Sequence, residues 1–447
     1  VVSHRRVLAI ALPIMLSNAT IPILGAVDTG VIGQLGQAAP IGAVGIGAVI
    51  LGSIYWIFGF LRMGTSGLVA QAHGAGDEIE VGAHLARALA IAFAAGLALI
   101  LLHPLLFAGA FRLAPASPEV EDLAQTYLSI RIWGAPATIA LYAITGWLIA
   151  MERTRGVLVL QLVQNGLNVA LDLWFVLGLG WGVGGVAFAT LIAETAGLAL
   201  GLWFCRAPLR AALGRAGLFA RDRMLRLVRV NGDIMVRSVL LQAAFTSFIF
   251  VAAGQGDVTL AANQVLMQFL EITAYALDGF AFAAESLIGQ AVGARRPDQF
   301  RRAARIASLW GVGGAVLVGL SFALSGPWLI DLLSTAPEVR AAARDYLPWL
   351  VLAPILGIAS WMFDGIFIGA TLTGRMRRAM IEAVAIYVLA LLVLVPAFGN
   401  HGLWAALMVL NVARALTMAR FYPEAVATAR RGAVPHHADP ADLTSPV

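Results

Sequence analysis

Apolar runs of about 20 residues recur along the whole chain, and a helix of that length is what crosses the hydrocarbon core of a bilayer. Twelve such segments are read, at 7–32, 42–70, 84–108, 123–150, 156–179, 183–205, 226–253, 262–290, 303–326, 342–370, 379–398 and 402–422. Within lipid every backbone polar group must be satisfied internally, which leaves helices or closed barrels. Runs this long and this unbroken predict helices. The expected fold is therefore an all-α polytopic membrane protein. Composition agrees: 60% of the 447 residues are hydrophobic and 12% charged, where a soluble chain carries roughly 25% charged residues.

All 30 basic residues are Arg, and there is no Lys. A P-loop needs its Lys to reach nucleotide phosphates, and a Schiff base to PLP or retinal needs a Lys amine. Cys205 is the single cysteine, which excludes an internal disulfide or a thiolate metal site within one chain. The seven His are scattered without an HExxH-like pair. Neither an enzyme nor a bound cofactor is expected.

The net charge of +5 reads as topology, not as nucleic-acid affinity. With the N-terminus inside, Arg112, Arg340 and Arg344 fall in the opposite loops and Arg62, Arg131 and Arg237 within spans, Arg131 snorkelling to the outer interface. The remaining arginines fall at cytoplasmic ends or loops, in stretches such as "GARRPDQFRRAAR" and "GRMRR". That asymmetry puts both termini in the cytoplasm. The first apolar segment has no A-x-A exit and reads as a span instead of a cleavable signal. All-Arg, Ala-rich usage points to a bacterial chain, hence to the inner membrane.

The chain repeats itself. "QAHGA" at 71–75 returns as "QAVGA" at 290–294, Tyr127-Leu128 as Tyr346-Leu347 and Gly146 as Gly365, each 219 residues later. Gly182 and Gly185 answer to Gly399 and Gly402 at 217. Six spans is an even number, so the halves enter from the same side as parallel repeats, which predicts two six-helix lobes related by a pseudo-two-fold axis around a central cavity. The expected divisions are an amino-terminal lobe at 1–205, a cytoplasmic linker at 206–225, a carboxyl-terminal lobe at 226–425 and a disordered tail at 426–447.

Polar groups inside such spans are costly, about 2.5–3.5 kcal/mol for an acid on insertion scales, so they face protein or water and have a use. Asp28 lies toward the outer end of the first span. Gln161, Asn165, Asn168 and Asp172 line one face of the fifth at i, i+4, i+7, i+11. Oxygen donors of this kind suit Na⁺; alternatively, two nearby carboxyls in a low dielectric can hold a proton. The eighth span carries Gln264, Gln268, Glu271, Tyr275, Asp278 and Glu285 down one face, and Asp364 adds an acid in the tenth. Asp364 could face a cavity or pair with Arg62 or Arg237. Pro13 and Pro22 remove backbone bonds in the first span and can bend it.

Taken together, "VDTGVIGQLG" (27–36), "LRMGTSGLVAQAHGAGD" (61–77), "LDGFAFAAESLIGQAVGA" (277–294) and "FDGIFIGATLTG" (363–374) resemble the multidrug and toxic compound extrusion (MATE) family, DinF-like branch, across all twelve spans. The resemblance implies a monomeric secondary antiporter that exports organic, often cationic and amphipathic compounds in exchange for H⁺ or Na⁺. It implies a cation site at Asn168, Asp172 and Thr190 with Asp28 nearby, a proline bend at Pro13, and cavity-lining polar positions at Tyr127 and Thr145. A flippase for lipids or lipid-linked saccharides on the same fold is the alternative. A passive channel or sensor is a third reading.

Overall fold

The computed structural model describes residues 1–432. Among the described residues it contains twelve helices long and apolar enough to cross a membrane. They are α1 (His4–Gly33), α2 (Ala38–Gly74), α3 (Glu78–Leu113), α4 (Pro118–Ala150), α5 (Thr154–Gly178), α6 (Gly182–Phe204), α7 (Arg221–Ala253), α8 (Asp257–Gly293), α9 (Pro297–Leu333), α10 (Pro337–Gly369), α11 (Thr373–Phe398) and α12 (Asn400–Ala419). Each expected apolar segment has its helix. Several helices run past it: α9 starts at Pro297, before the expected 303, and carries Arg301 and Arg302 on its first turns. Hydropathy sees only the part in oil, whereas Arg is a good helix former and continues the helix into water. Pro at N1, as in α9 and α10, marks the true starts because the missing N–H is unpaired there anyway.

The chain divides into two compact units. One comprises Val1–Leu12, Ser66–Glu78 and Gly232–Val447, here the carboxyl unit; the other comprises Pro13–Thr65 and Ile79–Asn231, the amino unit. The division cuts α1 between Leu12 and Pro13. The carboxyl unit is centred on Phe248, Leu266, Leu350, Trp404 and Leu407, all fully buried. Its partly buried surroundings shade into exposed Leu, Ile and Val such as Leu317, Leu324 and Leu392, the outward apolar surface expected of a protein whose solvent is lipid.

Two features repeat between the halves. The ends of α2, α4, α8 and α10 each close with one residue in the left-handed region, Gly76, Glu152, Arg295 and Thr371. At each, that residue's own amide and the next one bond back in the same pattern, as in Arg295 N to Val292 O and Arg296 N to Ala291 O, a helix-ending motif that usually takes Gly. A Cβ on Gly146 would fall on the carbonyl of Arg62, and a Cβ on Gly365 on that of Ala281. Both members of this contact recur 219 residues later. Glycine here lets two helix backbones touch.

The connection between α6 and α7 is structured. It contains a helix, Arg206–Leu213, and is pinned to the amino unit by Arg87, which donates Nε to Leu218 O and Nη1 to Glu80 Oε1, both at 2.6 Å. Arg215 also reaches Glu80. Cys205, at the head of this connection, is buried, and burial pushes its thiol up to about 12. After α12 a further helix, Tyr422–Arg431, buries Ala425, Val426 and Ala429, so chain is ordered beyond residue 426, where the tail was expected to begin. Residues 433–447 of that tail lie outside the described residues.

Candidate functional site

The amino unit brings together the acid of α1 and the polar stripe of α5. Residues Thr154–Asp172 of α5 are α-helical and Leu173–Gly178 form a π-helix, so Asp172 sits where the winding loosens, a change of pitch that often marks functional positions. Asp172 is wholly buried, Asn168 and Thr190 nearly so, and Asp28 half-buried. The Asp28 and Asp172 carboxyls are neighbours, both within reach of the Asn168 amide. A carboxylate only accepts, so a hydrogen bond between the two would require a proton on one of them.

Asn168 completes the pair. With its amide turned to satisfy both sides, Nδ2 donates to Asp172 Oδ2 (2.7 Å) and Asp28 Oδ1 (3.3 Å), and Oδ1 accepts from Thr190 Oγ1 (3.1 Å). The four residues expected to hold a cation are thus in one cluster. One turn back along α5, Gln161 Nε2 donates to Asn165 Oδ1 (3.3 Å) and Asn165 Nδ2 to Thr20 Oγ1 (2.9 Å). Thr20 in turn donates to Ser17 O (2.6 Å). The stripe is therefore bonded to α1 at two levels, through Thr20 and through Asp28. Pro13 and Pro22 both lie inside α1, on either side of the Thr20 level.

Arg131 does not snorkel to an interface. It is buried, its Nη2 donating to Glu194 Oε1 (2.9 Å) and its Nη1 to Tyr127 Oη (2.7 Å). Burial became tolerable because α6 supplies Glu194, itself buried, so that neither charge is left alone in low dielectric. The Arg131 charge acts on both Asp28 and Asp172. Tyr127 is fully buried with its ring against Gly47, and Thr145 is half-buried. Glu194 was open to the same rule that flags Asp28, an acid in a span, but lacks a polar stripe on its own helix. Thr20 carries no signal of its own in a sequence.

The remaining polar positions belong to the carboxyl unit. Gln264, Gln268 and Glu271 share an exposed face of α8, with Asp278 half-buried farther along. Asp364 pairs with Arg237, as one of the two expectations had it, and also with Arg414 (2.6 Å). Arg414 and Arg87, both assigned to cytoplasmic ends from sequence, are fully buried. Among the described residues no group of three or more His, Cys, Asp or Glu could hold a metal ion. A hard cation would find its oxygens in Asp28, Asp172, Asn168 and Thr190.

The MatE family model matches the chain twice, over residues 13–174 and 234–395. DNA damage-inducible protein F of Escherichia coli (strain K12) is 40% identical over 416 residues, covering 92% of this chain and 90% of that protein. A probable multidrug resistance protein NorM of Pseudomonas aeruginosa is 27% identical, covering 81% and 75%. Among solved structures, a MATE in the bent conformation superposes with a TM-score of 0.86 at 19% identity, covering 96% of each chain.

Proposed function

The chain belongs to the MatE family, and from that premise we propose that it is a proton-coupled antiporter of a bacterial inner membrane, exporting organic, often cationic compounds by alternating access. The observation that supports a proton as the coupling ion is that the Asp28 and Asp172 carboxyls meet on one amide, Asn168, close enough to share a proton. A shared proton holds α1 against α5. Its loss leaves two carboxylates in contact, which repel, and the helix free to move is the one with Pro13 and Pro22. Asn168 presents N–H to both acids, which accept it whether or not they share a proton. Na⁺ is the second reading, and the amide would have to turn its oxygen inward to serve it.

In this cycle protonation from outside favours substrate release, and deprotonation to the cytoplasm resets the transporter. For a neutral substrate, one charge crossing 100 mV is worth about 2.3 kcal/mol, enough to support roughly fifty-fold accumulation outside; exchange of one H⁺ for a singly charged cation moves no net charge and draws on the pH difference alone. The arginine asymmetry supports a cytoplasmic location for both termini, and one chain is taken as the working unit.

The test is flux of a fluorescent organic cation from proteoliposomes under an imposed pH or Na⁺ step. The expected result is flux that follows the pH step and falls at least tenfold in both Asp28→Asn and Asp172→Asn, the loss of about 1.4 kcal/mol or more of coupling. Flux that ignores both gradients, or survives both substitutions, would return the reading to a flippase or a channel.

A further inference from the structure

We propose that the connection between α6 and α7 is a docking surface for the anionic headgroups of the adjoining leaflet, its outward arginines meeting lipid phosphate and its exposed Leu213 and Phe219 entering the acyl boundary. Residues 206–229 hold seven Arg against one acid, Asp222. The excess is divided in two by the fold. Inward, the buried carboxylate of Glu80 takes Arg87, Arg215 and Arg223. Outward, Arg206, Arg210 and Arg221 are exposed, and among the described residues none of these three makes an ion pair. All of these groups belong to the amino unit.

The connection is firmly seated. A Cβ on Gly82 would fall on the carbonyl of Pro208, and Ala212 packs with Ala83, Ala86 and Leu218. Arg206, Arg210 and Leu213 stand at i, i+4 and i+7 and share another face of the helix Arg206–Leu213. Leu213 is 62% exposed and Phe219 55%. Phe219 follows Leu218, which is buried and whose carbonyl Arg87 holds. Two large apolar side chains are thus presented among spare guanidinium groups by a segment tied too closely to turn them inward. Charge alone suits water and apolar surface alone suits the bilayer core; the two together suit the boundary between them. Trp203, in the last turn of α6, supplies the depth, because tryptophan at the end of a span lies at headgroup level. The Arg206 guanidinium sits 4.3 Å from the Trp203 ring centre, and its Nη1 donates to Trp203 O (2.7 Å). That is the level of lipid phosphate, which guanidinium groups grip through paired N–H donors.

The test uses the full chain in nanodiscs of phosphatidylcholine with and without phosphatidylglycerol. An environment-sensitive maleimide label is placed on Leu213→Cys or on Phe219→Cys. Cys205 is buried and stays unlabelled at pH 7.5, so one label per chain also reports an intact fold. Both labels should be quenched more by a nitroxide carried on the lipid than by iodide in the water. Native mass spectrometry of the unlabelled protein should find phosphatidylglycerol retained over phosphatidylcholine. Substituting Arg206, Arg210 and Arg221 by Gln should lower that preference about fivefold for each arginine removed, the factor equivalent to roughly 1 kcal/mol per basic residue at a lipid surface. Arg112→Gln, at the far end of α3, is the control and should leave it unchanged. The three substitutions spare the contacts to Glu80, so the melting midpoint should hold while lipid preference falls, and the labels test the surface even in a variant that melts early. Iodide quenching without lipid quenching at both positions, or a preference for phosphatidylglycerol that is absent or survives the triple variant, overturns the proposal.

Discussion

Arg131 and Glu194 show how strongly one buried residue depends on another. Removing one partner leaves a charge stranded in low dielectric, at a cost of about 3–5 kcal/mol, whereas replacing both by apolar residues of similar volume is often close to neutral. Glu194→Ala should therefore lower the melting midpoint in detergent sharply, and Arg131→Met with Glu194→Leu should restore most of it. Cys205 offers a simpler check. Only the thiolate reacts with a maleimide, and burial holds this thiol up to about 12. Labelling of the folded protein at pH 7.5 should be negligible, should rise about tenfold per pH unit on the alkaline side, and should become fast at pH 7.5 only after unfolding. The residues of the ion cluster that a sequence makes legible are those whose presence in oil is expensive: Asp28, Asn168 and Asp172 stand out against their spans. Thr20 and Arg131 do not, because their roles are fixed by what another helix places beside them. An arginine in a span looks the same whether it snorkels or meets a glutamate 63 residues away.

At the scale of the element, the glycine crossings carry the packing. Gly146 and Gly365 place a carbonyl of the neighbouring helix where a Cβ would be, and neither backbone can retreat without dismantling its pair. Gly365→Val should cost about 1–3 kcal/mol or more by overpacking, read as a lower melting midpoint or loss of the monodisperse species. The same change at Gly313, which faces nothing within 4 Å, should be tolerated. Twelve helices were legible because hydropathy has a period and a length that only one structure in lipid satisfies. Their ends were less so: α9 and α11 begin six residues earlier than their apolar segments, since helix propensity outlasts hydrophobicity. The break of α2 at Phe58 and Gly59 and the π-helix after Asp172 come from tertiary packing and leave no periodic trace.

The two halves are one design at the level of the whole molecule, matched twice by the same family model, yet they join corresponding helices differently. In the amino unit α1 meets α5 through Asp28 and Asp172. In the carboxyl unit α7 meets α11 through Ser247 and Tyr387, whose hydroxyls lie 3.1 Å apart, and position 28 plus the repeat offset is Ser247. The first contact contains carboxyls that can exchange a proton, whereas the second holds only hydroxyls, which keep theirs near neutral pH. Coupling should then be one H⁺ per substrate exported, measured as the pH gradient that just halts a known substrate gradient. A value of two would require a second titratable contact. The contrast at Ser247 also separates the two halves in their chemistry: the contact in the amino unit is made by carboxyls gathered on an amide, whereas the corresponding contact in the carboxyl unit is made by hydroxyls alone, so acidity near neutral pH can speak to one repeat and not to the other.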